Sequence, residues 1–161
     1  MRRRRQVGGE QGSAIVETAF AASIMLALLI GSFQMFAALY AYHYVSYAAR
    51  EGSRYASVRG NKCSGTGMPD CPDATPTEIQ TFVEGLGFPG INTNYMTVNT
   101  TWLSASGTQP ATWAACGTTL ACKAPGNQVQ VQVIYKFPLN IPFVKSQSLN
   151  IASTSALVVS Q

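Results

Sequence analysis

From Thr18 to Tyr42 the chain contains no formally charged residue, and most of that stretch is apolar. Twenty-five helical residues at about 1.5 Å each extend roughly 37 Å. A bilayer hydrocarbon core is about 30 Å thick. The segment therefore predicts a helix able to cross a membrane with some tilt. A cleaved secretory signal fits less well, since its apolar region runs only about 7 to 15 residues. Here "AYHYVSYAAREGSR" carries the helical pattern onward without a turn signal. One helix is expected from about Ser13 to about Arg59, stopped by Gly60 and Asn61.

Charge supports that reading. Only 11% of the residues are charged and 47% are hydrophobic. Arg2 to Arg5 precede the span, and basic residues favour the cytoplasmic side, so the N-terminus is expected inside and the C-terminus outside. Residues 1–12 hold four of the 11 basic residues and one of the seven acids, which leaves 7 and 6, a net of +1 from an overall +4. The basic balance is a topology signal, and a nucleic-acid partner is not expected.

Beyond the span the pattern changes. "NKCSGTGMPDCPDATP" reads as a loop. "TPTEIQTFVEGLG" reads as a short helix, with Thr75 as N-cap, Pro76 at the first helical position, Glu78 closing a capping box, and Ile79, Phe82, Val83 and Leu86 on one face. "YMTVNTTWL" and "QVQVQVIYKF" alternate with a period of two, and "SLNIASTSALVVS" offers a third strand. The stretch between the first two reads as one long loop. "FPLNIPF", with Pro138 and Pro142, reads as a link and not as central strand. The fold class expected is α+β: a long N-terminal hydrophobic helix, then a small outer domain with a short helix and an antiparallel sheet. Its divisions are a basic leader (1–12), the long helix (13–60) and the outer domain (61–161).

All four cysteines, Cys63, Cys71, Cys116 and Cys122, fall in the outer domain, where an oxidising compartment favours disulfides. Three pairings are open, the two local ones being simplest. No metal site is expected, because there is no C-x-x-C and the single histidine, His43, lies in the helix. The same histidine cannot form a triad with the outer domain, no phosphate-binding loop is present, and neither a cofactor nor an enzymatic activity is expected.

Glu17 is the anomaly, an acid at the threshold of the apolar span. It could serve as a helix cap, where the dipole favours negative charge. Its context suggests more. A basic leader, Gly12, then Ser13 and Glu17 ahead of an apolar helix resemble a type IV prepilin processing signal. That resemblance implies cleavage between Gly12 and Ser13 by a prepilin peptidase, after which Glu17 is the fifth residue and pairs with the Ser13 amine of a neighbouring subunit. A desolvated ion pair of this kind sets register more than it adds stability.

A second motif lies downstream: Ala48, Ala49, Arg50, Glu51, Gly52, Ser53, Arg54, Tyr55, Ala56. Together with the Gly-Ser-x-x-Val-Glu start, it makes Gly12–Ala56 resemble the N-terminal region of TadE-like proteins, pseudopilins of the Tad (Flp) tight-adherence pilus. Thr18 replaces the phenylalanine usual there, and the proline common early in the helix is missing. The resemblance implies a pilin or minor pseudopilin in the bacterial inner membrane, its C-terminal domain outside the cytoplasm, joining an adhesive filament with other pilin subunits. The alternative is a non-polymerising envelope binding protein or adhesin on an uncleaved anchor. Ser46, Ala49, Ser53 and Ala56 or Ser57 form a small-residue stripe, which suits either a neighbouring helix in a filament or the chain's own sheet. Tyr40, Tyr42, Tyr44 and Tyr47 read as an aromatic belt at the membrane boundary.

Overall fold

A computed structural model describes residues 10–61, 74–106, 112–139 and 145–160. Cys63 and Cys71 lie outside the described residues. The chain forms one long helix, α1 (Glu10–Ser57), a short helix, α2 (Pro76–Gly85), and four strands: β1 (Met96–Ser106), β2 (Thr112–Ala115), β3 (Gln128–Leu139) and β4 (Gln147–Val158). The sheet order is β2-β1-β3-β4, and every pairing is antiparallel. The architecture is α+β, with the upper half of α1 laid across one face of the sheet.

The sheet follows from the period-two pattern. On β3, Val129, Val131, Val133, Tyr135 and Phe137 are buried, and the residues between them are not. The register sets Met96 opposite Tyr135, Val98 opposite Val133, Thr100 opposite Val131 and Trp102 opposite Val129. Two inward-facing rows thus meet side by side, where cross-strand pairs stabilise a sheet. α2 begins as its sequence suggests. Thr75 Oγ1 accepts from the Glu78 N–H at 3.2 Å, and the Thr75 N–H donates to Glu78 Oε2 at 3.0 Å. Ile79 and Val83 are buried and complete the core from the side.

Three features differ from the sequence reading. The stretch after β1 is not all loop: β2 pairs with β1 from Leu103↔Ala115 to Ser106↔Thr112. Its four residues are all exposed, so no apolar alternation marks it. Pro138 lies within a strand whose middle is central. It sits beyond Tyr135, the last described partner of β1, where β3 is bordered only by β4, so the missing N–H interrupts no ladder on that side. Finally, α1 spans Glu10–Ser57, starting about three residues and ending about two residues earlier than expected. At its top, the Ser57 carbonyl accepts from the Ser160 N–H at 3.0 Å and from the Ser160 hydroxyl at 3.2 Å. The C-terminal segment thus caps the helix by satisfying one of the carbonyls that a helix end leaves open.

Candidate assembly helix and its docking onto the sheet

α1 has two halves with different surroundings. Below about Gln34, no other described part of the chain covers it. Phe20, Met25, Leu28 and Phe33 are each about two-thirds or more exposed, and none of the most apolar window is buried. Gly12 to Gln34 is 23 residues, or roughly 34 Å of helix. That is long and apolar enough to cross a bilayer. Three of its hydroxyls turn inward on the helix itself. The hydroxyls of Thr18, Ser23 and Ser32 donate to the carbonyls of Ala14, Phe20 and Leu29 at 2.8–2.9 Å. Such back-bonding leaves no hydroxyl proton unpaired in an apolar medium.

The predicted processing residues lie in the first turns of this bare half. Gly12 and Ser13 are both helical and exposed, so the helix runs through the bond between them. A Cβ at Gly12 would meet nothing within 4 Å. Glu17 is exposed, one turn above Ser13, and among the described residues it forms no ion pair. Four residues separate the two, about 6 Å along the axis.

The second motif lies wholly in the docked half, and its residues divide by face. Ala48, Ala49, Gly52, Ser53 and Ala56 are buried; Arg50 and Arg54 are exposed; Glu51 and Tyr55 are half-buried. The small residues face the sheet and α2. At Gly52 an added Cβ would stand 2.9 Å from Val83 Cγ2 and 3.2 Å from Val131 Cγ1. Ser53 Oγ lies 2.8 Å from Ser155 Oγ on β4 and donates to, or shares its proton with, the Arg50 carbonyl at 2.9 Å. Tyr55 stacks on Phe82 of α2 at 4.2 Å, and the Arg59 guanidinium lies 4.2 Å from the Tyr55 ring centre. Of the two partners open to the small-residue stripe, the chain's own sheet takes Ala49, Ser53, Ala56 and Ser57, while Ser46 is half-buried beside them. Short side chains allow the helix axis to approach closely, as they do between helices.

The tyrosines do not form a simple belt. Tyr40, Tyr44 and Tyr47 surround Phe88, with ring centres 6.4, 4.8 and 5.7 Å away. Tyr44 is only 2% exposed, and its hydroxyl lies 3.8 Å from Met96 Sδ. The Tyr40 hydroxyl donates to the Pro89 carbonyl at 3.3 Å. Phe88 escaped the sequence reading. The signal for it was "GFPG", in which Gly87 and Gly90 take φ of +47° and +80° and turn the chain so that Phe88 points back at α1. Tyr42 points elsewhere, edge-on to the exposed His43.

Cys116 and Cys122 form a disulfide, with Cα atoms 5.6 Å apart, that closes the turn after β2. Cys122 is buried, and next to it Lys123 is buried with its ammonium 5.8 Å from the Trp102 ring centre, a cation–π contact. Among the described residues, no three of His, Cys, Asp and Glu are grouped to hold a metal ion.

No curated protein and no solved structure matches the chain. A family model does: the TadE-like protein model matches residues 12–54. The match runs from the glycine of the first motif to Arg54 of the second, over the bare half of α1 and most of its docked half. Over residues 12–54, the span of this helix, the chain is similar to the TadE-like family of the Tad pilus.

Proposed function

We propose that the protein is a TadE-like pseudopilin, cleaved between Gly12 and Ser13 by a prepilin peptidase and assembled through α1 into, or at the base of, a Tad-type pilus that serves surface adhesion. The observation that carries this reading is the division of α1. Its upper half is held by the sheet, and its lower half, though equally helical, is left uncovered among the described residues.

In the membrane the bare half is covered by lipid, and in a filament by the equivalent helices of neighbouring subunits. Helix ends fray, which exposes the Gly12–Ser13 bond near the start of α1 to the peptidase. Cleavage creates an amine at Ser13 about one turn below Glu17. In a low-dielectric surrounding, each of these charges needs a counter-charge. A neighbour displaced by about one turn brings its amine level with Glu17, and the pair sets the subunit stagger. The outer domain then lies outside the cytoplasm, consistent with the disulfide and with the arginine-rich leader inside.

Mass spectrometry of the intact chain from its native envelope tests the reading. A start at Ser13 supports it. A start at Met1 or Arg2 overturns it and leaves a signal-anchored envelope protein in which Glu17 only caps the helix.

A further inference from the structure

β4 runs alongside α1 in the same direction. Leu149 and Ile151 lie beside Met35 to Tyr42, Ser155 meets Ser53, and Ser160 meets Ser57. The start of β4 is therefore the part of the sheet nearest the bare half of α1. By register, the end of β3 and the start of β1 share that level, with Pro138 opposite Ser148 and Met96 opposite Tyr135. This end forms a rim around the helix where it leaves its apolar stretch.

The rim has two faces of different chemistry. On the face toward α1 is a groove of about 300 Å³ lined by Met35, Ala38, Leu39, Tyr42, Leu149 and Ile151, with no charged side chain. Leu149 is 46% exposed there. On the opposite face is a hollow of about 370 Å³ lined by Tyr95, Lys136, Pro138, Ser146, Gln147 and Ser148. Exposed Lys145 directly precedes Ser146. The one charged side chain lining the hollow is Lys136. Glu84, on α2, is the last acid in the chain, and the sequence from Gly85 to Gln161 holds three lysines and no carboxylate side chain. Lys123 is buried under Trp102, and the other two, Lys136 and Lys145, are at this rim.

We propose that the rim docks on anionic phospholipid of the leaflet from which α1 emerges, holding the outer domain against the membrane before assembly. Lys136 and Lys145 take the headgroup phosphates, with the serine hydroxyls of 146 and 148 and the Tyr95 ring at the interface. The Met35–Ile151 groove, continuous with the bare helix surface, takes the glycerol and upper acyl chain. This rests on the reading of α1 as membrane-spanning. Each lysine near an anionic surface strengthens such attachment by about fivefold, so the pair contributes on the order of thirtyfold.

The test uses the full chain, one copy per nanodisc, in phosphatidylcholine alone and in phosphatidylcholine mixed with phosphatidylglycerol. Amide hydrogen exchange is followed at residues 93–97 and 145–151. Slower exchange only in the phosphatidylglycerol discs, lost in the Lys136→Gln/Lys145→Gln double variant, is the expected result. Both lysines are exposed, so the variant keeps the fold, which unchanged exchange in the middle of β3 verifies. Equal exchange in both lipids, or protection that survives the double variant, overturns the proposal. Protection that appears only with two chains per disc also overturns it and assigns the groove to a second copy. A chain that does not remain with the disc at all refutes the membrane-spanning reading instead, which separates the two failures.

Discussion

Gly52 of α1 faces Val83 of α2 so closely that a Cβ on the glycine would stand 2.9 Å from Val83 Cγ2, with Val131 Cγ1 only 3.2 Å away on the other side. Helix, helix and sheet converge on this one missing side chain. Glycine inside a helix costs about 1 kcal/mol relative to alanine, and here that cost permits a close approach of α1 to α2 and β3. Gly52→Ala recovers the propensity but overpacks the site, which costs about 1–3 kcal/mol. A net loss of about 1 kcal/mol is expected, and a loss of about 3 kcal/mol or more for Gly52→Val. Denaturant unfolding of the full chain in detergent, followed by near-ultraviolet circular dichroism of the buried Trp102, measures both. Equal stability of the two variants would mean that the helix stands farther from α2.

The Ser53–Ser155 contact joins α1 to an edge strand through hydroxyls 2.8 Å apart. Ser53 is fully buried and Ser155 half-buried, so water replaces only part of the bond. Ser53→Ala is expected to cost about 1 kcal/mol. In a double-mutant cycle with Ser155→Ala, the coupling is expected to be at least about 0.5 kcal/mol. Additive losses would show that the two hydroxyls act separately.

The disulfide closes a short loop, Cys116 and Cys122 being six positions apart in sequence. Loop-closure entropy for a ring of that size is worth about 2 kcal/mol. The Cys116→Ser/Cys122→Ser variant is expected to lose about that much by the same unfolding measurement. β2, which has no buried residue of its own, should lose amide protection first.

Glu17 touches none of the described residues of the outer domain. Glu17→Ala is therefore expected to leave domain stability within about 0.5 kcal/mol while abolishing incorporation into filaments. The readouts are the unfolding midpoint and immunoblotting of sheared surface fractions. Cleavage at Ser13 should persist. Normal incorporation of the variant would show that the carboxylate takes no part in subunit contact.

Thr75→Ala removes a side-chain oxygen that accepts from Glu78 at the start of α2. The expected cost is about 1 kcal/mol. Faster amide exchange confined to residues 76–83 would locate it, and an effect spread evenly over the sheet would contradict a local cap.

Much of this architecture is local and therefore readable in sequence. A 25-residue uncharged run dictates a long helix wherever it is placed. The valines of β3 sit at alternate positions because a strand's side chains alternate, and Thr75, Pro76 and Glu78 form a cap from residues within one turn of one another. Both TadE-like motifs were legible for the same reason. What the second motif does was not. Ala49, Gly52 and Ser53 are short on any helix, and nothing in a small side chain says whether a neighbouring subunit or the chain's own sheet will come close. Only the tertiary structure brings Val83, Val131 and Ser155 to them, from 30 to about 100 residues away. The same holds for Phe88, whose three tyrosine neighbours lie on a different element, for β2, which bears no apolar pattern because both its faces are exposed, and for Pro138, acceptable in β3 because no described partner in β1 extends that far. The sequence by itself determined that α1 and α2 are helix and that β1, β3 and β4 are strand, since those preferences arise within a few residues. Which half of α1 is covered and which is left bare was decided by the sheet, because it takes only as much of the helix as its strands are long.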